Sequence, residues 1–326
     1  MRVDASTVLR LPSLEEIRTA ARRVSEWAVR TPLVRLNVDD SPAEVYLKLE
    51  NLQPIGSFKI RGAGNALAQV DSAVLTSGVY TASAGNMAQG VAWHARRLGI
   101  ACTALVPKTA PEAKLPAINR LGADFVKLPF DEWWRVMIDR FHPDFSDRLF
   151  VHPFADQAVI TGNGTIGLEI IEDLPDVTAV VVPYGGGGLS TGIAAAVKAA
   201  RPGTKVFAAE VETAAPLAAS LAAGSPMNVD YTPTFVDGIG GKSVFEFMWP
   251  LVTEVLDGSL TVSVEETAAA VRLLVERNRV VAEGAGAASV AAALKGLAGS
   301  GSIVAVVSGG NIDAAKLAAI LNGEVP

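Results

Sequence analysis

Short apolar runs alternate with segments of helical period along most of the 326 residues. Near the start, Ser13-x-x-Glu16 is a capping box, and Leu14, Ile17, Ala21, Val24 and Ala28 follow at helical spacing. The spacing predicts an amphipathic helix over 14–28, stopped before Thr31-Pro32. Residues 45–49 alternate like a strand. From residue 79 the pattern becomes strand, helix, strand: strands over 79–82, 100–106 and 124–128, with helices between them, one over 111–120. A second alternation follows, with strands over 149–154, 177–182, 205–211 and 302–307. Its helices are expected over 165–173, 190–200, 264–276, 286–294 and 314–321. Such alternation implies right-handed crossovers and parallel pairing. The expected fold class is therefore α/β, with two open twisted parallel-type sheets flanked by helices. The larger domain would comprise residues 1–75 and 151–326 and the smaller one residues 76–150.

Three stretches break this rhythm in ways that suggest chemistry. In Glu50-Asn-Leu-Gln-Pro-Ile-Gly-Ser-Phe-Lys-Ile-Arg-Gly-Ala63, Pro54 and Gly56 interrupt regular structure, and Ser57 is a good N-cap for a helix running to about Gln69. Lys59 would then lie in the first helical turn, where its cation opposes the positive end of the helix dipole. Dry surroundings would lower its pKa further and favour the nucleophilic amine; the plainer reading is a surface lysine. Gly185 to Gly188 follow a strand and open a helix, so their N–H groups could converge on an anion. No Gly-Lys-Ser/Thr follows, which excludes a P-loop, and a tight structural turn is the alternative. Ser83-Ala-Gly-Asn86 precedes a helix with the apolar stripe Met87, Val91, Ala95 and Leu98, a second place where free N–H donors could hold an anion.

Asn51 to Gly62 resembles the lysine segment of the threonine/serine dehydratase and serine racemase branch of the pyridoxal-phosphate enzymes of the tryptophan-synthase-β superfamily. Arg30-Thr-Pro-Leu33, Ser83 to Gly90, Gly185 to Leu189, Glu283-Gly-Ala-Gly286 and Ser308-Gly-Gly-Asn311 extend the resemblance in family order along almost the whole chain. It implies pyridoxal 5'-phosphate as cofactor between the two domains, carried covalently by Lys59 next to Phe58. Gly185, Gly186, Gly187, Gly188 and Leu189 would hold its phosphate, Asn86 its ring hydroxyl and Ser308 its pyridine nitrogen, with Glu283 lining the pocket. Ser83, Ala84, Gly85, Asn86 and Met87 would grip the substrate carboxylate. The family commonly has histidine where Met87 stands, which changes the pocket's polarity.

The activity implied is elimination of water from a β-hydroxy amino acid such as L-threonine or L-serine, giving a 2-oxo acid and ammonia. A dehydratase for a less common hydroxy amino acid, an amino-acid racemase and a non-catalytic phosphate- or nucleotide-binding protein are the competing readings. Racemases that resemble this chain have serine where Ala84 stands, and a methyl group cannot carry a proton to the second face of Cα. Trp133 and Trp134 read as one buried and one rim residue of an amphipathic helix, or as a lid from which Arg135 reaches an acidic group. Glu210 matches a carboxylate of a divalent-cation site in some relatives, but its second carboxylate would fall at Pro216, so no metal is expected. Some members of the family carry an extra regulatory domain beyond the last helix, and none is expected here, since too few residues follow 321.

Composition narrows the class. A net charge of -6 and a pI near 5.2 give no basic footprint for nucleic acid. No apolar run reaches membrane-spanning length, and the N-terminus lacks a signal core, so a cytoplasmic enzyme is expected, as a homo-oligomer (dimer or tetramer). The single cysteine, Cys102, reads as a buried structural thiol. His94, His142 and His152 lack metal-ligand spacing.

Overall fold

The computed structural model describes residues 9–326. The predicted capping box is formed: Ser13 and Glu16 bond reciprocally at the start of α1 (Leu14–Val24). The helix is shorter than the predicted 14–28, ending in a Ser25 cap; a strand pair follows, β1 (Leu33–Arg35) and β2 (Glu44–Leu49). The lysine loop then leads into α2 (Lys59–Leu67), and a single turn, α3 (Ser72–Leu75), closes this part. The next unit alternates as β3 (Val79–Ala82), α4 (Asn86–Leu98), β4 (Cys102–Pro107), α5 (Leu115–Arg120), β5 (Asp124–Leu128), α6 (Phe130–Asp139) and β6 (Leu149–Phe150). A third stretch runs through α7 (Gln157–Asp173), β7 (Ala179–Pro183), α8 (Gly188–Ala200), β8 (Lys205–Val211) and α9 (Pro216–Ala223). The chain finishes with α10 (Trp249–Val255), β9 (Gly258–Val262), α11 (Val264–Leu273), α12 (Gly284–Leu294), β10 (Ser302–Val307) and α13 (Ala314–Leu321).

Two sheets result. One has strand order β1-β2-β10-β7-β8-β9, parallel except for β1 at its edge; the other, β5-β4-β3-β6, is parallel throughout. Helices cover both faces of the larger sheet, so β7 and β10 are buried along their whole length and read as unbroken apolar runs. Each fully buried Val or Ile there contributes about 1.5–3 kcal/mol. No described helix is long and apolar enough to cross a membrane.

Several other predicted spans shift at their ends, and three of the differences have a local cause. The strand expected over 149–154 stops at Phe150, because Val151 to Ala155 curl around His152. The helix expected over 165–173 begins at Gln157, capped by Asp156, whose carboxylate accepts from Ala158 and Val159 N–H. Thr161, Gly162 and Gly164 weaken local propensity, and burial of the helix overrides it. The helix expected over 264–276 turns π-helical after Leu273 and ends at Arg279 in the left-handed region.

Glycines let α2, α7 and α8 cross without side chains between them. A Cβ on Gly162 would lie 2.8 Å from Arg61 O and 3.0 Å from Gly62 Cα, and one on Gly192 would lie 2.3 Å from Ile160 O. A buried ion network fastens the same helices to the sheet. Arg61, 1% exposed, donates to Glu50 at 2.8 Å and to Glu169 at 2.5 and 3.0 Å. Lys48 reaches Glu169 at 2.7 Å and Thr31 O at 2.7 Å, while Thr31 Oγ1 donates to Glu50. These partners account for part of the Arg30 to Leu33 block.

Candidate active site

The C-terminal ends of β7, β10 and β3 deliver the three glycine-bearing segments, the position where open α/β sheets take ligands. Lys59 is the first residue of α2. Its Nζ donates to Pro153 O at 2.6 Å and stands 5.0 Å from the Phe58 ring centre. Close packing drops its pKa to about 8, an effect partly opposed by the Glu283 carboxylate. Ser57 is not the helix cap. Phe58 occupies that position, while Ser57 pairs across to Gly309 and its buried hydroxyl has no partner among the described residues. The lysine loop is thereby stitched to the end of β10, also through Phe58 N–H donating to Ser308 O at 3.0 Å.

Glu283 caps α12 by position, yet its carboxylate makes no cap bond. It accepts instead from Asn86 Nδ2 at 2.8 Å. Burial raises its pKa to about 7 against the pull of Lys114, and Asp237 adds to the rise. Lys114 itself pairs with Asp237 at 2.8 Å, joining the segment after β4 to the loop before α10. Ser83 Oγ accepts from Gly85 N–H at 3.2 Å, and a Cβ on Gly85 would meet nothing within 4 Å, so this loop opens onto free space.

The glycine run is shaped by Phe154. A Cβ on Gly186 would fall 2.3 Å from the Phe154 ring, and one on Gly188 2.4 Å from Phe154 O. Gly187 has φ +87°, a conformation that side chains disfavour. The N–H groups of Gly185, Gly186 and Gly187 donate to no carbonyl or side chain among the described residues. Unpaired donors at the start of a 13-residue helix make a cup that fits a phosphate. Ser308 is buried, and its hydroxyl makes no hydrogen bond to another described residue. A cup for an anion, a poised amine and an uncommitted hydroxyl together fit pyridoxal phosphate.

Residues 24–309 match the family of pyridoxal-phosphate-dependent enzymes. The chain belongs to that family. The enzyme is 44% identical over 315 residues to an L-threonine ammonia-lyase of Thermotoga maritima, covering 95% of this chain and 78% of that one. It is 37% identical to the catabolic L-threonine dehydratase TdcB of Escherichia coli, covering 94% and 95%. Among solved structures, maize serine racemase superposes with a TM-score of 0.87 at 31% identity, covering 94% and 96%.

Some expected site residues have their side chains committed to other contacts or turned to solvent. Met87 is 1% exposed and packs in the core of the smaller sheet with Ala63 and Val91, so its side chain fills that core. Phe58 and Leu189 share a core cluster with Val182 and Val306. Arg135 is exposed on α6 and pairs with no described residue, while Trp134 stacks on Phe245 and Trp133 donates to Leu105 O. Glu210 is committed within the chain: it accepts from Leu217 and Ala218 N–H, capping α9, and from Ser259.

The residues missed by sequence reasoning are His152, Pro153 and Phe154. Nδ1 of His152 accepts from Ala155 and Phe154 N–H, so Nε2 carries the proton donated to Met137 O. Burial lowers this imidazole's pKa to about 3 and keeps that neutral tautomer, which sets the turn presenting Pro153 O to Lys59. A proline directly after a histidine, at the end of an apolar run, was the available signal.

Proposed function

We propose that this enzyme eliminates water from a β-hydroxy amino acid such as L-threonine or L-serine, releasing a 2-oxo acid and ammonia. The observation that carries the reading is Lys59: a packed amine with pKa about 8 whose Nζ donates to Pro153 O, directly before the Phe154 that shapes the glycine cup. Lys59 would hold the cofactor, with Gly185 to Gly188 on its phosphate, Asn86 on its ring oxygen, Ser308 at its ring nitrogen and Glu283 beside it. When bound, the cofactor supplies an electron-withdrawing ring that acidifies the substrate's Cα–H. The freed Lys59 amine takes that proton, since a base whose pKa lies near neutrality is well matched to the task. N–H groups from Ser83 to Asn86 at the start of α4 bind the substrate carboxylate.

The threonine ammonia-lyase and dehydratase names of the relatives support the same chemistry. Ala84 favours elimination over racemisation, because it offers no acid to the second face of Cα. Residues 1–75 with 151–326 and residues 76–150 are read as the two domains, one for each sheet. The enzyme is read as a cytoplasmic homo-oligomer, which sedimentation and fractionation would check. Assaying 2-oxo acid release from a panel of β-hydroxy amino acids, with chiral analysis of what remains, tests the function. No release from any of them, or Cα inversion of L-serine as fast as release, would overturn it.

A further inference from the structure

Asn311 follows the Ser308-Gly-Gly run and stands exposed at the rim of the site. Its Nδ2 lies 2.9 Å from Ile55 O and 2.8 Å from Asn86 Oδ1, while Asn86 Nδ2 lies 2.8 Å from Glu283 Oε1. The sense of this chain follows from one end. A backbone carbonyl only accepts, so the group that Asn311 turns towards Ile55 is its NH₂. The same NH₂ faces Asn86, which must answer with its oxygen, and the NH₂ of Asn86 is left directed at Glu283.

The placement of Asn311 is itself built in. Gly310 N–H donates to Gly56 O at 2.9 Å, tying the run to the lysine loop, and Gly56 leaves the room that Asn311 Oδ1 needs. A Cβ on Gly56 would sit 2.7 Å from that oxygen.

We propose that Asn311 is a positioning residue that, with Glu283, fixes the Asn86 amide: one hydrogen of its NH₂ goes to Glu283 and the other, rather than the carbonyl, is left for the cofactor's ring oxygen. The inference rests on the role given to Asn86 above. Released from Asn311, the Asn86 amide is held in this sense by Glu283 alone, and where that carboxyl is protonated the amide can turn over and present its carbonyl, which repels an anionic ring oxygen. Asn311→Asp is the informative change. It is nearly isosteric, but it offers only acceptors to Ile55 O and Asn86 Oδ1 and so drives the amide over. Asn311→Ala leaves Glu283 alone to hold it. A role confined to packing predicts the opposite order of damage.

The test titrates cofactor-free protein with pyridoxal phosphate, reads the visible band of the loaded enzyme against pH, and uses thermal melts to verify folding. Asn86→Ala is expected to weaken cofactor binding about tenfold, the scale of losing one bond to a charged group. Asn311→Asp should weaken it about as much and shift the pH at which the band changes, with Asn311→Ala in between. In an Asn86→Ala background, Asn311→Asp should add nothing. If Asn86→Ala leaves affinity unchanged, the role of Asn86 fails and the proposal falls with it. If Asn86→Ala weakens binding while Asn311→Asp does not, or the two effects simply add, the proposal alone is refuted. Should Asn311→Asp fail to fold, Asn311→Ala in the same cycle decides: a loss that vanishes without the Asn86 amide supports positioning, and one that persists refutes it.

Discussion

Lys59→Met should make the cofactor-free protein more stable while abolishing its chemistry. The native fold holds the Lys59 pKa down at about 8, from 10.5. The unfolded chain therefore binds that proton more tightly. Stability from this source is lost as pH falls from about 10.5 to about 8, and the full cost persists below. A tenfold change in proton affinity is worth ~1.4 kcal/mol, which sets a ceiling of ~3 kcal/mol. Lys59 keeps partial solvent contact, which reduces the expected gain to ~2 kcal/mol at pH 7. Methionine has a similar volume, so little cavity is left to offset the gain. Urea unfolding of both cofactor-free proteins at pH 7 and pH 10 measures it. The variant should be the more stable at pH 7, and the gap should narrow at pH 10. It should also lack a cofactor band reducible by borohydride and make no 2-oxo acid. A variant no more stable than the parent at pH 7, or a gap independent of pH, would refute the reasoning.

Gly187→Asp puts a like charge in the cup at a position with φ +87°, so cofactor affinity should fall by at least tenfold while the thermal midpoint moves much less; titration and melting measure the two. Arg61→Leu leaves Glu50, 0% exposed, without its counter-ion and should cost about 3–5 kcal/mol of stability, read from denaturant unfolding. Ala84→Ser should add measurable Cα inversion of L-serine, which chiral chromatography detects.

The strands over 79–82, 205–211 and 302–307 were legible to the residue, because buried strands between helices leave short apolar runs, and 124–128 was legible although β5 is a partly exposed edge strand. Lys59, the glycine run and the Ser83 to Asn86 loop were legible because glycine and small residues before a helix are uncommon without a backbone reason. Long-range partnerships were not legible. Nothing local to Asn86 reveals Glu283 or Asn311, and nothing local to Lys59 reveals Pro153 O. The direction of the Met87 side chain was not legible for the same reason: its helix stripe shows that it is apolar, but not that the smaller sheet's core takes it. The Ser57 cap failed because tertiary pairing with Gly309 claimed that backbone first.

The glycine crossings of α2, α7 and α8 act as a ruler. With backbone against backbone, the span from the lysine to the cup cannot be lengthened by swapping a side chain, since even one methyl at Gly162 or Gly192 would meet main-chain atoms within 3 Å. A lineage that changes substrate while keeping this cofactor must then leave that gauge untouched. Its freedom lies at the opposite rim, where Gly85 faces open space and Lys114 meets Asp237.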